Sequence, residues 1–347
     1  MNIGGITIGI DENPVIIAEL SGNHNQNKER AFKLIDAAHA AGVQVIKLQT
    51  YTPDTITMDV ERGEFVISDP QSLWFGRSLF SLYQEAHTPW DWQSEIFSYA
   101  NKKGMVCFSS VFDFSSVEFL EGLNIPAYKI ASQEITHLPL IEMVASTGKP
   151  IIMSTGMASL SEIDCAVNLV RKTSKSEIAL LKCSSSYPAP VEHSNVKTIP
   201  FMRNLFDCEV GLSDHTIGIG APLAAIAQGA TIIEKHLTLD RGDGGVDSKF
   251  STEPHEFKQL VREAENCSKA LGRVTFGPTS ADNASLSGRQ SIYISENLNK
   301  GDILKSSNMR IIRPNKGLPP RYYSHVTGKR VKCDVERGTA LTWELIE

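Results

Sequence analysis

The sequence lacks the marks of several common classes of protein. Its six cysteines are scattered, with no CxxC pair or regular spacing, which argues against a disulfide framework or a zinc knuckle and predicts reduced thiols in the cytoplasm. No GxGxxG motif follows the first apolar run, so a doubly wound dinucleotide-binding sheet is disfavoured. The N-terminus has no basic segment ahead of an apolar one, and we expect no secretory signal.

Net positive charge and long apolar runs are also missing. Lysine and arginine total 34 against 40 aspartates and glutamates, and the formal charge of −6 argues against a general nucleic-acid binder. The stretch 216–233 carries no charge, but it contains three glycines and Pro222. We interpret it as a helix followed by a buried strand rather than a membrane span. Neither nucleic acid nor a membrane is therefore expected among the partners.

What the sequence does contain is a regular alternation of apolar runs and amphipathic segments up to about residue 270. Continuous Val- and Ile-rich runs separated by helical patterns are typical of parallel strands that are covered on both faces. Eight strand–helix units in about 255 residues predict an α/β fold, the (β/α)8 or TIM barrel. The eight predicted strands lie in the runs 15–22, 43–50, 105–112, 127–132, 151–156, 178–185, 209–215 and 231–238.

The alternation is interrupted once inside the barrel and stops after it. Residues 53–90 form a long connection after the second strand, which predicts either a loop that shapes a site at the C-terminal face or a surface insertion without function. Trp74, Tyr83 and Trp90 favour the first reading. We expect a barrel domain over 1–276, a polar linker over 277–288 and a small β-rich domain over 289–347.

The small C-terminal domain differs from the barrel in charge. Residues 285–347 hold 11 Lys and Arg and 6 Asp and Glu, a net charge of 11 − 6 = +5, so that the rest of the chain carries 23 − 34 = −11. A basic module on an acidic body predicts either an anionic partner or docking on the barrel of a second copy in a homodimer. Docking is favoured because aromatic and basic residues do not alternate as they do in RNA readers.

Polar side chains gather at the predicted C-terminal ends of the strands, where barrel enzymes hold their catalytic groups. Lys47 and Gln49, Ser213 and His215, and Glu234 and His236 are each two residues apart, so both members of a pair point to the same side of a strand. A buried lysine without a ligand or partner is too costly for an ordinary core. The cationic, hydroxyl-rich cluster predicted to bind phosphate and carboxylate comprises Lys47, Lys129, Ser132, Ser154 and Ser213.

Two readings of the strand-end residues stay open on the sequence alone. His215 and His236 end neighbouring strands, and they are either structural or the ligands of a divalent cation such as Mn²⁺. A lysine at a strand end could instead form a Schiff base, as in class I aldolases, with Lys47, Lys129, Lys182 or Lys235 as the nucleophile. Lys235 is the weakest of these, because its neighbours Glu234 and His236 are expected to point inward.

The ordered motifs resemble the sialic acid synthase family over almost the whole chain. They are IAELSGNHNQ, KLQT, YKIAS, MSTG, GLSDHT, EKH and VDSKFSTEP, and the stretch IIRPNKGLPP resembles the family's antifreeze-like (SAF, β-clip) domain. The resemblance implies an enzyme that condenses phosphoenolpyruvate with an N-acylated hexose to a nine-carbon 2-keto acid and phosphate. It also implies a homodimer in which the SAF domain reaches the partner's barrel.

Within that family the chain is most similar to the branch that makes pseudaminic acid, through TYTPDT, LWFGRSLFSLYQEAHTPWDW and GGVDSKFSTEP. The implied sugar is 2,4-diacetamido-2,4,6-trideoxy-altrose, with N-acetylneuraminate or legionaminate synthesis as alternatives. A barrel that has lost activity and serves only for binding is disfavoured, because the strand-end lysines and histidines are all present.

The resemblance also implies roles for individual residues. The implied catalytic residues are Glu19, Glu234 and Lys129, and the implied ligands of Mn²⁺ or Mg²⁺ are His215 and His236. Two positions depart from the family pattern, since Ser185 stands where Asn is frequent and Gln133 where a small residue is frequent. The residues implied to bind the two substrates are Lys47, Gln49, Ser132, Ser154, Ser185, Tyr187, Ser213, Asp247 and, from the other subunit's SAF domain, Arg313.

Overall fold

The computed structural model describes residues 1–347, and the chain divides into two compact units, Met1–Gly272 and Arg273–Glu347. No helix in either unit combines the length and the apolar composition that crossing a bilayer requires. A short antiparallel pair, β1 (Asn2–Ile3) and β2 (Ile6–Thr7), opens the first unit. Ile3 and Ile8 pack with the barrel interior, so this N-terminal segment closes one end of the barrel.

Eight parallel strands form a closed barrel, in which the last strand pairs with the first. Each lies inside one of the eight runs expected from the sequence, so the predicted (β/α)8 fold is confirmed. The apolar runs form strands because both of their faces are buried, one against the helices and one inside the barrel. The strands are β3 (Val15–Glu19), β4 (Val45–Thr50), β5 (Val106–Val111), β6 (Tyr128–Ile130), β7 (Ile151–Ser154), β8 (Ile178–Cys183), β9 (Glu209–Asp214) and β10 (Ile232–His236).

Alternation along each strand divides the barrel interior into an apolar end and a polar end. In β3, for example, Ile17 packs in the interior and Glu19, two residues later, points the same way at the mouth. In β10 the corresponding pair is Ile232 and Glu234. The apolar interior residues are Val15, Ile17, Val45, Phe108, Ala127, Ile152, Ala179, Leu181 and Ile232.

Helices cover the outside of the barrel through one apolar face each. In α1 the buried residues Ala31, Leu34, Ile35 and Ala38 recur at the spacing of one helix face. Asn27 begins that helix by accepting a hydrogen bond from the backbone N–H of Arg30. The helices of the first unit are α1 (Lys28–Ala40), α2 (Pro53–Ile56), α3 (Leu79–Ala86), α4 (Trp90–Lys102), α5 (Phe114–Gly122), α6 (Leu138–Ser146), α7 (Leu160–Thr173), α8 (Thr198–Phe206), α9 (Gly220–Ala227) and α10 (Pro254–Leu271).

The connection between β4 and α4 is an ordered insertion. It contains the short helices α2 and α3 and, between them, a hairpin closed by two backbone bonds. Ile67 N–H donates to the Arg77 carbonyl over 2.9 Å, and Gly76 N–H donates to the Ile67 carbonyl over 2.8 Å. The Ser78 side chain then begins α3 by accepting from the backbone N–H of Ser81.

The second unit has its own small core. Its strands β11 (Ser291–Ile294) and β12 (Met309–Ile312) pair antiparallel, and one short helix follows, α11 (Tyr323–Val326). The predicted β-rich character is otherwise limited to isolated bridges, such as Ile303 with Arg330. The core residues include Ile292, Ile294, Leu304, Met309, Val326, Val331 and Leu341.

A glycine in β9 tests how tightly the barrel interior is packed. A Cβ at Gly211 would clash with the Ile232 carbonyl oxygen and would lie 2.8 Å from Leu181 Cδ2. We expect Gly211→Ala to lower the free energy of unfolding by about 1–3 kcal/mol through overpacking, as measured by urea denaturation. The matched control is Gly122→Ala at the end of α5, where a Cβ meets nothing within 4 Å. Equal stability of the two variants would contradict the packing described here.

Candidate active site

A cavity with a volume of about 490 Å³ opens at the C-terminal ends of the barrel strands. The inward alternation of the strands brings their last polar side chains to its floor. The predicted site residues that line it are Lys47, Gln49, Lys129, Ser132, Ser154, Tyr187, Ser213, His215, Glu234, His236 and Asp247.

Four buried charged side chains form one network at the cavity floor, where Lys47, Lys129 and Glu234 line the cavity and Glu19 does not. Lys47 Nζ lies 2.7 Å from Glu19 Oε2 and 3.3 Å from Glu234 Oε1. Lys129 Nζ lies 3.7 Å from the same Glu234 oxygen and donates to Ser154 Oγ over 2.7 Å. Because each carboxylate is paired, the lysines can be buried without the cost of an isolated charge.

The two carboxyl groups of this network have opposite pKa shifts. Burial raises the pKa of Glu19, only partly offset by the Lys47 charge, and the neighbouring Glu234 charge raises it further. Burial also acts on Glu234, but Lys129 and Lys47 together lower its pKa below the ordinary value. Carboxyl groups whose pKa values are pushed apart are the usual arrangement for separate acid and anion roles. Glu19 is thus the more readily protonated of the two carboxyl groups, and Glu234 is the more readily ionised.

At Gly156 the backbone packs directly against two serine hydroxyl groups. The Gly156 N–H donates to Ser132 Oγ over 3.1 Å, and a Cβ at Gly156 would lie 2.8 Å from that same oxygen. The Ser185 hydroxyl also packs against Gly156; it lies outside the cavity lining and is buried without a hydrogen-bond partner. The Ser132 hydroxyl and the Lys129 amine, which both line the cavity, can donate to a phosphate or carboxylate group.

The two histidines converge as the sequence predicts. Their ring centroids are 5.3 Å apart, and both rings are buried. His215 Nδ1 contacts the Ser184 carbonyl at 2.9 Å, and His236 Nδ1 contacts Ser21 Oγ at 3.1 Å. Bonds at Nδ1 orient an imidazole and leave Nε2 for a ligand, which is the usual arrangement around a bound metal ion.

The pKa values of the two histidines shift in opposite directions, and only one of the rings is favoured in the neutral form that can ligate a metal. Burial lowers the pKa of His236 well below its ordinary range, and the positive field of His215 adds to the effect. At His215 burial is outweighed by Cys183, whose Sγ lies 3.9 Å from Nδ1, so that its pKa is raised. The same contact brings the pKa of the Cys183 thiol to about 7 although burial opposes it.

Three side chains stand between the histidines and the rest of the cavity. The Tyr187 ring lies 4.6 Å from the His215 ring, and Asp247 Oδ2 lies 3.7 Å from His236 Nδ1. Gln49 Nε2 donates to Glu19 Oε1 over 3.0 Å, which ties the amide to the ionic network. These groups can hydrogen-bond a polyhydroxylated ligand next to the histidines. Arg313 is exposed in the C-terminal unit directly after β12, and its role stays a prediction.

The structure adds cavity residues that sequence reasoning did not assign to the site. Ser110 accepts a hydrogen bond from Lys47 over 3.0 Å, and Cys183 contacts His215. Glu134 follows β6, and burial raises its pKa to about 7, with the Lys129 charge acting in the opposite direction. Ser110 was detectable from its strand-end position, but Glu134 lies in the 3-10 helix Ser132–Thr136, which is too short to give a periodic signal. Trp74 and Phe250 complete the aromatic side of the cavity.

Lys235 and Asp214 lie outside the cavity, as their strand positions predict. Lys235 Nζ is 2.5 Å from Asp214 Oδ2, and both side chains are buried. Lys182 is also directed elsewhere, donating to the Cys183 carbonyl over 2.8 Å. His24 braces the barrel mouth through Thr88 Oγ1, 3.2 Å from its Nε2. Only Lys47 and Lys129 among the candidate nucleophiles therefore reach the cavity, and both are engaged by Glu234.

A second group of potential metal ligands lies at the start of α10. Glu253, His255 and Glu256 bring their side-chain donor atoms close together. Glu253 and Glu256 are already used in a reciprocal cap of this helix, and both pair with Arg241. No arginine or lysine side chain pairs with the ring nitrogens of the buried histidine pair in the cavity. The pair is therefore the better candidate for a metal site.

The fold and this cavity define a (β/α)8-barrel enzyme with an appended small domain, and comparisons with known proteins agree. The NeuB family profile matches residues 34–275, and the SAF domain profile matches residues 289–347. The chain therefore belongs to the NeuB family, which confirms the resemblance seen in its motifs.

Individual relatives cover almost the whole chain. The chain is 40% identical over 344 residues to the pseudaminic acid synthase of Campylobacter jejuni subsp. jejuni serotype O:23/36 (strain 81-176), with 98% of each chain covered. It is 38% identical to the pseudaminic acid synthase of Helicobacter pylori (strain ATCC 700392 / 26695), covering 96% of this chain and 98% of that one. The crystal structure of N-acetylneuraminic acid synthetase from Leptospira borgpetersenii serovar Hardjo-bovis, in complex with citrate, aligns with a TM-score of 0.72 at 33% identity, covering 82% of this chain and 94% of that one.

The raised pKa of Glu134 predicts a pH-dependent effect on stability. A carboxyl group whose pKa is higher in the folded state stabilises the fold at low pH, and this contribution is lost as pH rises from 4.5 toward 7. We expect Glu134→Gln to leave the free energy of unfolding nearly unchanged at pH 5 and to raise it at pH 8 by on the order of 1–3 kcal/mol. Urea denaturation at the two pH values measures the difference.

The control for this experiment is Glu118→Gln, at an exposed position of α5. Its effect on the free energy of unfolding is expected to be small and the same at both pH values. If Glu134→Gln also had equal effects at pH 5 and pH 8, the Glu134 carboxyl would have an ordinary pKa.

Proposed function

We propose that this protein catalyses the pseudaminic acid synthase reaction. In it, phosphoenolpyruvate, 2,4-diacetamido-2,4,6-trideoxy-altrose and water give a nine-carbon 2-keto acid and phosphate. The observation that carries the proposal is one cavity that joins a Lys47–Lys129 anion site to an oriented histidine pair. The 40% identity to the Campylobacter jejuni enzyme over 98% of the chain supports this choice of reaction.

Phosphoenolpyruvate carries two anionic groups, and the cavity floor offers places for both. Lys129 with Ser132 and Ser154 would take one group, and Lys47 with Ser213 would take the other. Ser185, whose Oγ lacks a partner, would donate to the group held by Lys129. Binding both anionic groups of phosphoenolpyruvate would orient its enol carbon toward the histidines. The reaction with the sugar would then start from two positioned molecules rather than from a random encounter.

The bond changes balance with one water molecule. C3 of phosphoenolpyruvate attacks the aldehyde carbon of the open-chain sugar, and the enol C2 becomes oxocarbenium-like. Water adds to C2, and the resulting tetrahedral intermediate breaks its C–O bond to phosphate and becomes the ketone. One proton of the water goes to the new hydroxyl group at the former aldehyde carbon, and the other leaves with phosphate.

The acidic residues would have two separate roles, stabilisation of positive charge and proton transfer. Glu234, kept ionised by Lys129 and Lys47, would stabilise the cationic C2. Glu19 and Glu134 have raised pKa values and would exchange protons with the water and with the alkoxide oxygen. Gln49, Tyr187 and Asp247 would hold the hydroxyl and amide groups of the sugar beside His215.

The donor set fits a divalent cation. His215 and His236 have Nδ1 engaged by Ser184 and Ser21 and would hold Mn²⁺ or Mg²⁺ through Nε2. Such an ion polarises an aldehyde oxygen as a Lewis acid. The low pKa of His236 keeps its imidazole neutral, which is the form that ligates a metal.

The assembly belongs to the same proposal. We place a barrel domain at 1–276, a linker at 277–288 and the SAF domain at 289–347, in a cytoplasmic homodimer. Arg313 of one subunit would contact an N-acetyl oxygen in the other subunit's cavity. The net charges of +5 and −11 on the two parts of the chain favour docking of this kind.

Phosphate release from phosphoenolpyruvate tests the proposed reaction. We expect release with the diacetamido-trideoxy altrose sugar in the presence of Mn²⁺, and none with the sugar omitted. The parallel sugars are N-acetylmannosamine and the corresponding legionaminate precursor. Release only with one of those would move the protein to the N-acetylneuraminate or legionaminate alternative, and release without any sugar would overturn the synthase assignment.

Metal binding by the histidine pair has its own test. Calorimetric titration with Mn²⁺ in the absence of substrates is expected to show a site that His215→Ala and His236→Ala each weaken by at least about 10-fold. The control is His255→Ala at the start of α10, which should leave binding unchanged. Loss of binding in the His255 variant alone would place the metal at the α10 group instead.

A further inference from the structure

Two charged residues interrupt the apolar outer face of the barrel at the level of the histidines. On β10 the outward positions before and after Lys235 are Ile233 and Leu237, and both pack in the core between the strands and the helices. On β9 Leu212 precedes Asp214 in the same way. The alternation along each strand would therefore favour an apolar side chain at both charged positions. A lysine and an aspartate lie there instead, each with a side chain that is only 1% exposed.

The stability of the fold does not by itself explain this buried pair. The cost of removing two charges from water is about as large as their attraction, and apolar residues of similar volume often serve a fold equally well. Lys235 makes a further contact that an apolar side chain could not make. Its Nζ donates to Asp214 Oδ2 and also to the carbonyl oxygen of Thr216, each over 2.5 Å. We name these three residues the Lys235 clamp.

The two residues bound by Lys235 are the chain neighbours of His215. Asp214 precedes this histidine and Thr216 follows it, and the two are also bonded to each other. The Thr216 backbone N–H donates to Asp214 Oδ1 over 3.1 Å, and the Thr216 hydroxyl group donates to Asp214 Oδ2 over 3.2 Å. Lys235 is itself the residue before His236. One ammonium group thus holds the backbone on both sides of one histidine and is attached to the backbone beside the other.

The hydrogen bonds of the two imidazole rings hold them from opposite sides. His215 Nδ1 contacts the carbonyl oxygen of Ser184, which follows β8. His236 Nδ1 contacts the hydroxyl group of Ser21, which follows β3. In the barrel, β8 neighbours β9 and β3 neighbours β10, so these contacts lie on the outer sides of the β9–β10 pair. They orient each ring separately and do not fix one histidine relative to the other.

Between β9 and β10 the clamp takes over where the paired strands end. The last paired positions are Lys235 and Asp214. Residues 215–218 make no backbone hydrogen bond to β10. The Lys235 side chain therefore provides the hydrogen bonds that join His215 to His236 at this level, where their ring centroids are 5.3 Å apart.

We propose that Lys235 is a positioning residue for a divalent cation bound by His215 and His236. The inference rests on the proposed function, since it concerns the metal site of that reaction. A clamp that fixes the two histidine backbones before the cation binds reduces the reorganisation that binding requires. Lys235 itself contacts neither the cation nor the rings, and it acts through the backbone of both ligands.

The test is calorimetric titration of the metal-free protein with Mn²⁺, in Lys235→Met and in the double variant Lys235→Met/Asp214→Asn. The single variant leaves a buried carboxylate without its cation, and its urea midpoint should fall clearly. The double variant buries no unpaired charge, so its urea midpoint should largely recover. We expect its affinity for Mn²⁺ to remain at least about 10-fold weaker than that of the unaltered protein, because the bond to the Thr216 carbonyl is still missing.

The matched control is the ion pair at the other end of β9. Arg203 donates to Glu209 Oε2 and to the Gly229 carbonyl, each over 2.9 Å, so it also joins a carboxylate of β9 to a nearby carbonyl group. The variant Arg203→Met/Glu209→Gln should bind Mn²⁺ as the unaltered protein does. In the Lys235 double variant the affinity for phosphoenolpyruvate should stay unchanged, because the proposed anion site at Lys129 does not involve the clamp.

The outcomes separate this inference from the proposed function. A folded double variant that binds Mn²⁺ as tightly as the unaltered protein would overturn the inference and leave the proposed function intact. An equal loss of affinity for Mn²⁺ and for phosphoenolpyruvate would also overturn it, because the change would then have damaged the whole cavity. Absence of Mn²⁺ binding by the unaltered protein would instead overturn the metal site of the proposed function, and this inference with it.

Discussion

The interaction on which the rest of the site depends is the buried network of Lys47, Lys129, Glu19 and Glu234. Two lysines can lie at the mouth of an apolar barrel only because a carboxylate stands between them, with Glu234 3.3 Å and 3.7 Å from their amines. That pairing lowers the pKa of Glu234, whereas burial raises the pKa of Glu19. A dianionic ligand can then enter between cations and hydroxyl groups that are already in place, without reorganisation of the surroundings.

Around this network, each wall of the cavity has a separate structural origin and a separate chemical character. The barrel strands supply the cations and the histidines. Side chains point into the barrel mouth when they lie two residues after an apolar residue of the barrel interior. The loop after β10 supplies Asp247 and Phe250, and the insertion after β4 supplies Ile67, Trp74 and Leu79. A hydrogen bond from the Trp74 indole N–H to the Val246 carbonyl joins these two segments.

Much of this arrangement follows from period-two and period-3.6 patterns in the sequence. Residue patterns along single strands predict three features correctly: the eight strands, the convergence of His215 with His236, and the outward direction of Lys235. Glu134 was not predicted as a site residue, because the short segment after β6 has no periodic pattern of apolar residues. Its raised pKa results from burial, which cannot be read from the sequence. Trp74 was recognisable as part of a site-shaping loop, but its partner Val246 is 172 residues away. Contacts of that kind depend on the closure of the barrel rather than on any local pattern.

The central claim is that Lys129 and its serine partners bind phosphoenolpyruvate, and the most direct test is calorimetric titration of that ligand without sugar. The account predicts one site per chain that is lost in Lys129→Met and retained in Lys182→Met, because Lys182 lies on β8, two strands from Lys129, and bonds the Cys183 carbonyl instead. Near-ultraviolet circular dichroism would establish that both variants are folded. Unchanged affinity in a folded Lys129→Met protein would contradict the account, since the anion would then be bound elsewhere.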